Sequence, residues 1–361
     1  MERVWLNLGT EVTVRALERG DLPWTLHPAC EYGSDPGQWG ASLINNAEVM
    51  TACLDVAGSG SVVEVGAYAG DLTRFLLGWA QSSHARVWAI DPSPQKELVA
   101  LAEQHSELEL VQETSHEALA HMPSAEAYVI DGDHNYYTVS EELRLIVAAA
   151  GEQPLPLLMF HDVGWPHGRR DDYFAPKLVP EEYRQPTVEG GGLFPGVSAP
   201  QSGGLPYKWP AAKEGGPRNG VLTAVEDFLS GQDDLRLAIL PSFFGLGIVW
   251  HKDASYAEKM AQLLDPLDRH PIIERLEANR AFHLAAVHQQ MMEVTAALDR
   301  LRRQEELLRR MLRSSAFRIA DRLSRLRQRA GIAPADVAVS RAEIMRALED
   351  KPRRNQNSSA G

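Results

Sequence analysis

Two short segments carry the side chains best suited to chemistry. The first is Val129-Ile130-Asp131-Gly132-Asp133-His134-Asn135-Tyr136, and the second is Met159-Phe160-His161-Asp162. Each contains the end of a short apolar run of the kind that forms a buried strand. In an open parallel sheet, ligands bind at the carboxyl ends of the strands. Neighbouring strands would therefore bring Asp131, Asp133, His134, His161 and Asp162 into one small volume. Carboxylates gathered so closely repel each other unless one is protonated or a cation bridges them. Oxygen donors suit a hard ion such as Mg²⁺, with Mn²⁺ an option where an imidazole joins. A neutral imidazole at the same place suits removal of a proton from a hydroxyl. Taken singly, each of these residues reads equally well as a turn or helix-cap residue.

The surrounding pattern supplies the elements that would position them. Apolar runs at Val62–Val65, Val87–Ile90, Leu108–Val111, Ala127–Ile130 and Leu155–Phe160 alternate with helical stretches at 41–57, Leu72–Ala80, Gln95–His105, 115–121 and Val139–Ala150. That alternation predicts an α/β fold with a parallel sheet covered by helices on both faces. After a break comes a helical run at Val221–Leu229. Leu235–Leu240 and Gly245–Trp250 then read as an antiparallel hairpin across a short connection. The break itself, residues 186–220, holds nine glycines and six prolines. Such a stretch is either a long loop over a site or a disordered insert.

The chain has 361 residues and a formal charge of −13, unevenly spread. Between residues 300 and 329, eleven arginines face only Glu305, Glu306 and Asp321, so this window carries +8 and the rest −21. The acidic body argues against a nucleic acid partner. Two cysteines exclude a disulfide framework or a Cys-based zinc site. No apolar run reaches the roughly 18 residues needed to span a bilayer, and the first residues lack a signal-peptide pattern. The expected setting is a soluble protein of the cytoplasm. From about 270 the pattern is helical: Leu284, Val287, Met291, Val294, Leu298, Leu301, Leu308 and Leu312 recur at 3,4 spacing, with Glu305 as the polar seam position. This predicts a coiled-coil or long amphipathic arm over 270–330. Residues 1–40 read as an irregular cap segment, 41–255 as the main domain with 164–220 inserted in it, and 331–361 as a partly disordered tail.

One further motif narrows the reading. Glu64-Val65-Gly66-Ala67-Tyr68-Ala69-Gly70-Asp71 follows the first strand and opens a helix, and the second strand ends in Asp91. The two glycines permit a tight turn close to a ligand. Their G-x-x-x-G spacing is not the dinucleotide fingerprint. Glu-Val-Gly-x-x-x-Gly with an acid ending the second strand resembles the class I S-adenosylmethionine-dependent methyltransferases over roughly residues 40–252. The resemblance implies a Rossmann-like seven-stranded sheet with an antiparallel last strand, and S-adenosyl-L-methionine as cofactor. It also implies that Glu64, Gly66, Ala67, Tyr68 and Gly70 hold the methionine part and Asp91 the ribose. Thr114 and Ser115, with Asp131, would lie along the rest of the cofactor.

Asp-Gly-x-His-x-Tyr, with a second aspartate after the next strand, resembles the metal-dependent O-methyltransferases that act on sugar hydroxyls of glycosylated natural products. They are related in fold to cephalosporin-hydroxylase-type enzymes. That resemblance implies Asp131 and Asp162 as ligands of a divalent cation, with Mg²⁺ expected, and His134 as general base. The third ligand there is an acid or amide; here His161 stands in its place, a departure. The adjoining stretch Gly164–Tyr173 also resembles that branch. With Asp133, it offers Trp165, His167, Arg169 and Tyr173 to an acceptor, while Tyr207 and Trp209 offer further flat surfaces. The acceptor implied is a small molecule or glycan. The arm reads as a dimerisation helix giving a homo-oligomer, or as a basic face for an anionic membrane surface or acidic protein. Two other readings stay open: a non-catalytic ligand-binding and assembly protein, and a metal-dependent hydroxylase or hydrolase on the same scaffold.

Overall fold

The computed structural model describes residues 40–332 and 341–349. Most of the segment expected as a cap, and much of the expected tail, lie outside them. The described chain divides after Gln290 into two compact units.

The first unit is built on one mixed sheet. Its strands are β1 (Ser61–Val65), β2 (Arg86–Ile90), β3 (Leu108–Val111), β4 (Ala127–Ile130), β5 (Leu157–His161), β8 (Leu235–Leu240) and β9 (Leu246–His251), with a separate ribbon of β6 (Gly192–Leu193) and β7 (Leu205–Pro206). The order across the sheet is β3-β2-β1-β4-β5-β9-β8. β1 to β5 run parallel, and β9 pairs antiparallel with both β5 and β8. The predicted seven-stranded Rossmann-like sheet, with its terminal hairpin, is therefore the observed one. The strand order reverses beside β1, between β2 and β4, and this switch point is where such sheets bind ligands.

The short apolar runs become strands because both faces of the sheet are covered. Successive side chains point to opposite faces. Val62, Val87, Ala127, Val129 and Met159 enter a core with α1 (Ala47–Ala57), α2 (Asp71–Ser83), α3 (Lys96–Gln104) and α7 (Ala257–Leu264). Val63, Val65, Tyr128, Ile130 and Phe160 enter the other, with α4 (Ser115–Leu119), α5 (Tyr136–Ala150) and α6 (Val221–Leu229). Each fully buried side chain of this kind contributes about 2 kcal/mol of hydrophobic transfer free energy. Helix starts are marked by local polar bonds. Thr114 and Glu117 form a capping box at α4, and the Asn135 side chain accepts the Thr138 amide at 2.9 Å at the start of α5.

The Gly/Pro-rich stretch is ordered. Arg170, 1% exposed, donates from Nη1 to the Ala211 carbonyl and from Nη2 to that of Ser198, each at 2.5 Å. Asp171 accepts the amides of Tyr136 and Gly220, and its own amide donates to Asn219 Oδ1. These bonds tie the middle and far end of the excursion to the domain, supplying order that its composition does not.

Helix α8 (Pro271–Arg313) covers the first part of the arm expected over 270–330 and ends before Ser314, which caps a separate helix. Of its seam residues in the second unit, Val294 and Leu301 are more than half exposed, at 55% and 59%. That unit also holds α9 (Ser315–Arg329) and α10 (Arg341–Glu349).

Candidate active site

The carboxyl ends of β1, β4 and β5 open on one cavity of about 480 Å³. Glu64, Gly66, Ala67 and Tyr68 line one part of it, and Asp131, His134, His161 and Asp162 another. Ala69, Asp71, Leu72, His167, Leu205, Pro206, Tyr207, Phe244, Leu284 and His288 complete the walls, with residues 40–43.

Gly66 is required where it stands. Its φ is +88°, and an added Cβ would sit 2.2 Å from the Asp131 carbonyl oxygen. The glycine turn therefore packs directly on the end of β4 and forms a single site with the acid cluster. Glu64 is buried and accepts the Thr73 hydroxyl at 2.6 Å. Burial pushes its carboxyl up to about 8, against the Thr73 hydrogen bond.

The other expected cofactor residues stand differently. Both Asp91 oxygens are taken by backbone amides, those of Tyr68 and Ser93, each at 2.7 Å. Tyr68 itself has a φ of +44°, so the turn bends over the end of β2. Thr114 caps α4, as described. Asp91, Thr114, Ser115 and Gly70 are not on the cavity wall.

The acid–histidine cluster is tightly bonded. His161 Nε2 meets the Phe243 carbonyl oxygen at 2.8 Å. A carbonyl only accepts, so Nε2 carries the proton. Nδ1 of the same ring faces Asp131 Oδ1 at 2.9 Å and Asp162 Oδ2 at 3.4 Å. Burial opposes a charge on this ring, but the two carboxylates outweigh it and hold its pKa well above 6.5. His134 Nδ1 lies 3.0 Å from Asp162 Oδ2. Its pKa is raised too, burial opposing and Asp162 then Asp131 prevailing. Asp162 is driven down despite its burial, by His161 and then His134.

His167 is the contrasting ring. It stacks on His134, centroids 5.0 Å apart and planes within 13°, and Tyr207 meets it edge-on at 4.7 Å. Burial pushes its pKa down to about 3, so it is neutral. Its Nδ1 is buried without a hydrogen-bond partner.

The donor chemistry fits a divalent cation. Asp131, His134 and Asp162 each offer a ligand atom within 4.8 Å of the others. His161 adds a nitrogen beside both carboxylates, its other ring nitrogen bonded to a carbonyl, which is the usual arrangement behind a ligating histidine.

Of the five residues expected to face an acceptor, His167 alone reaches the cavity wall among the described residues. Asp133 accepts the Phe174 amide and the Thr138 hydroxyl. Arg169 forks onto Glu226 at 2.6 and 2.8 Å. Tyr173 is buried and donates to Asp171, and Trp165 packs on Phe244 with ring centroids 6.4 Å apart. Trp209 gives its backbone amide to Asp172 and is not on the wall. Among the wall residues that the sequence does not single out are Leu72, Leu205, Pro206, Phe244, Leu284, His288 and residues 40–43. Leu284 belonged to a recognised apolar stripe, but periodicity does not name the surface a stripe will meet.

Residues 63–163 match a family model described as a methyltransferase domain. No curated protein matches the chain. Among solved structures, the SAH-bound Podospora anserina methyltransferase PaMTH1 is similar at 12% identity, with 64% of this chain and 89% of that one covered and a TM-score of 0.38. A methyltransferase from Geobacter sulfurreducens is similar at 12% identity, covering 57% and 78%, with a TM-score of 0.34. Human N-acetylserotonin methyltransferase in complex with SAM is similar at 13% identity, covering 64% and 60%, with a TM-score of 0.32. The seven-stranded order with its antiparallel β9 is the Rossmann-like methyltransferase fold, and residues 63–163 within it match the methyltransferase-domain model.

Proposed function

We propose that the chain is a divalent-cation-dependent O-methyltransferase acting on a hydroxyl of a sugar, glycan or glycosylated small molecule. The observation that carries this reading is the pairing of His134 with Asp162 at 3.0 Å, beside Asp131 and His161, on the cavity that the glycine turn also lines.

Asp162 accepts from Nδ1–H of His134 and so leaves Nε2 free to take a proton. A base held in one tautomer by a carboxylate is the usual device for activating a hydroxyl. Asp131, Asp162 and His161 Nδ1 would hold the cation. When bound, it would supply a positive charge that lowers the pKa of an acceptor hydroxyl and orients it. His167, neutral and stacked on His134, fixes the ring plane of the base without competing for its proton. S-adenosylmethionine, when bound, would supply a sulfonium methyl to the acceptor oxygen, its sulfur leaving as the thioether with the electron pair of the broken bond. The protein contributes alignment and exclusion of water. Tyr207 and Phe244 make part of the wall aromatic, which suits the apolar faces of a sugar.

The test is transfer of labelled methyl from S-adenosylmethionine to a panel of glycosides and their aglycones, with and without chelator. Label in a sugar hydroxyl, lost with chelator and restored by Mg²⁺ or Mn²⁺, is expected. Transfer that chelator does not touch removes the cation from the reading. No binding of S-adenosylhomocysteine by calorimetry would remove methyl transfer and leave the hydroxylase or hydrolase reading.

A further inference from the structure

Helix α9 hides its polar side and exposes its apolar one. The positions on it that are buried or half-buried are Phe317, Asp321, Ser324 and Gln328, on one face. Three of the four are polar. Away from that face stand Ile319, Leu323 and Leu326, exposed by 60%, 56% and 60%. Their i, i+4, i+7 spacing puts them in a single stripe. At about 100° per residue, Arg322 and Arg329 border the stripe on one side and Arg327 on the other. Arg325 is taken by Asp321, whereas Arg318, Arg322, Arg327 and Arg329 have no ion-pair partner among the described residues.

An exposed apolar stripe edged by unpaired cations matches one kind of surface. We infer that α9 docks on a bilayer rich in anionic phospholipid, with Ile319, Leu323 and Leu326 at the acyl boundary and the arginines at the headgroup phosphates. Arginine suits that place, since its stem extends along apolar surface while its guanidinium forks onto phosphate. A neighbouring cavity of about 370 Å³, walled by Arg313, Arg318 and Arg341 over Leu312 and Met345, offers the same combination of cations and apolar floor. A second copy of this face would set arginine rows against arginine rows, with Asp321 turned inward. A nucleic acid would neutralise the arginines and leave the stripe in water. No helix among the described residues is long and apolar enough to cross a membrane, so this contact is interfacial.

Flotation of the full chain with vesicles tests the inference. Binding to phosphatidylcholine vesicles doped with phosphatidylglycerol is expected to exceed binding to phosphatidylcholine alone by about tenfold or more, and to weaken as salt is raised. Ile319→Glu and Leu323→Glu should each cut partition by about tenfold, with helix content by circular dichroism unchanged. The double variant Arg322→Gln, Arg329→Gln should weaken binding to the doped vesicles and leave the residual binding to phosphatidylcholine alone. If a glutamate disturbs α9 itself, the arginine double variant carries the decision. Absence of binding to doped vesicles, or equal binding to both kinds, overturns the inference. So does a Leu323→Glu variant that dissociates a dimer while vesicle binding persists, which would assign the face to a second copy.

Discussion

His161 Nε2 donates to the carbonyl oxygen of Phe243 at 2.8 Å, and this bond turns Nδ1 of His161 toward Asp131 and Asp162. The carbonyl is held in an unusual backbone. Phe243 and Phe244 have φ of +48° and +68°, which bulky residues adopt at a cost of about 1–3 kcal/mol each. Glu277 Oε1 accepts the Phe244 amide at 2.9 Å, and the Arg280 guanidinium lies over both rings at 5.2 and 4.8 Å. The start of α8 thus fixes a turn that fixes a site histidine. Glu277→Ala is expected to weaken Mn²⁺ binding by about tenfold, the range seen when support behind a ligand is removed. Glu277→Gln, which keeps an acceptor oxygen, should restore most of it. Calorimetric titration with Mn²⁺ alone checks both; equal loss in the two variants would show that charge, and not the amide bond, matters.

His134→Ala should lower the methyl-transfer rate by about 10²–10⁴, the usual contribution of a positioned base. Binding of S-adenosylhomocysteine should stay within a factor of about three, because that ligand does not need the base. Asp162→Asn should lower the rate as well, since an amide can present a donor to Nδ1 and favour the wrong tautomer. Single-turnover assays paired with calorimetry separate these effects. A His134→Ala enzyme of undiminished rate would move the base elsewhere on the wall, with His288 the next imidazole to test.

Glu142 on α5 is fully buried, and neither carboxyl oxygen finds a well-formed hydrogen bond. Burial pushes its pKa up to about 8 from an ordinary value of 4.5, with Ser115 close enough to oppose the shift in part. A folded pKa above the unfolded one means that the fold prefers the protonated acid. Its contribution is fully present below about 4.5 and is lost as pH rises through about 8. Glu64 titrates in the same window and the same direction. Glu142→Gln is therefore expected to flatten, and not abolish, the fall in Tm between pH 5 and 8. Thermal unfolding at stepped pH reads the slope directly, and parallel curves for the two proteins would show that Glu142 is not the group whose titration sets it.

These residues also show what was legible in the sequence. The strands and their pairing were legible because a parallel sheet covered on both faces demands short, wholly apolar runs, and Ala127–Ile130 is buried along its length. Asp131, His134, His161 and Asp162 were legible as a group because strand ends converge by topology. What Asp91, Thr114 and Arg169 bond to inside the fold was not legible. An acid, a hydroxyl or a guanidinium can serve the backbone or a neighbour as readily as a ligand, and spacing does not distinguish the two. Asp91 serves the amides of Tyr68 and Ser93, Thr114 caps a helix, and Arg169 meets Glu226. Phe243 was illegible for another reason. Its part is played by a backbone carbonyl, and every residue has one.

The excursion at 186–220 makes the last prediction, because its order rests on buried arginine bonds. Arg170 lies at 1% exposure, its Nη1 and Nη2 each spanning to a carbonyl far along the chain, with Glu214 at 3.6 Å. Removing it leaves the carbonyls of Ala211 and Ser198 without donors, each worth about 1–3 kcal/mol if it stays buried. The segment can escape that cost by opening to water, since its glycines and prolines carry little apolar surface to hold it down. Arg170→Ala is therefore expected to expose 186–220 to limited proteolysis at a denaturant concentration where the parent is resistant, while the sheet's own unfolding midpoint moves less. Arg170→Lys, with one compact donor group in place of a fork, should fall between the two. Because Leu205, Pro206 and Tyr207 reach the cavity from this segment, the same variant should raise the KM for acceptor more than it lowers kcat. If proteolysis cuts elsewhere first, the segment is held by the Asp171 and Asn219 bonds instead, and Asn219→Ala becomes the variant that opens it.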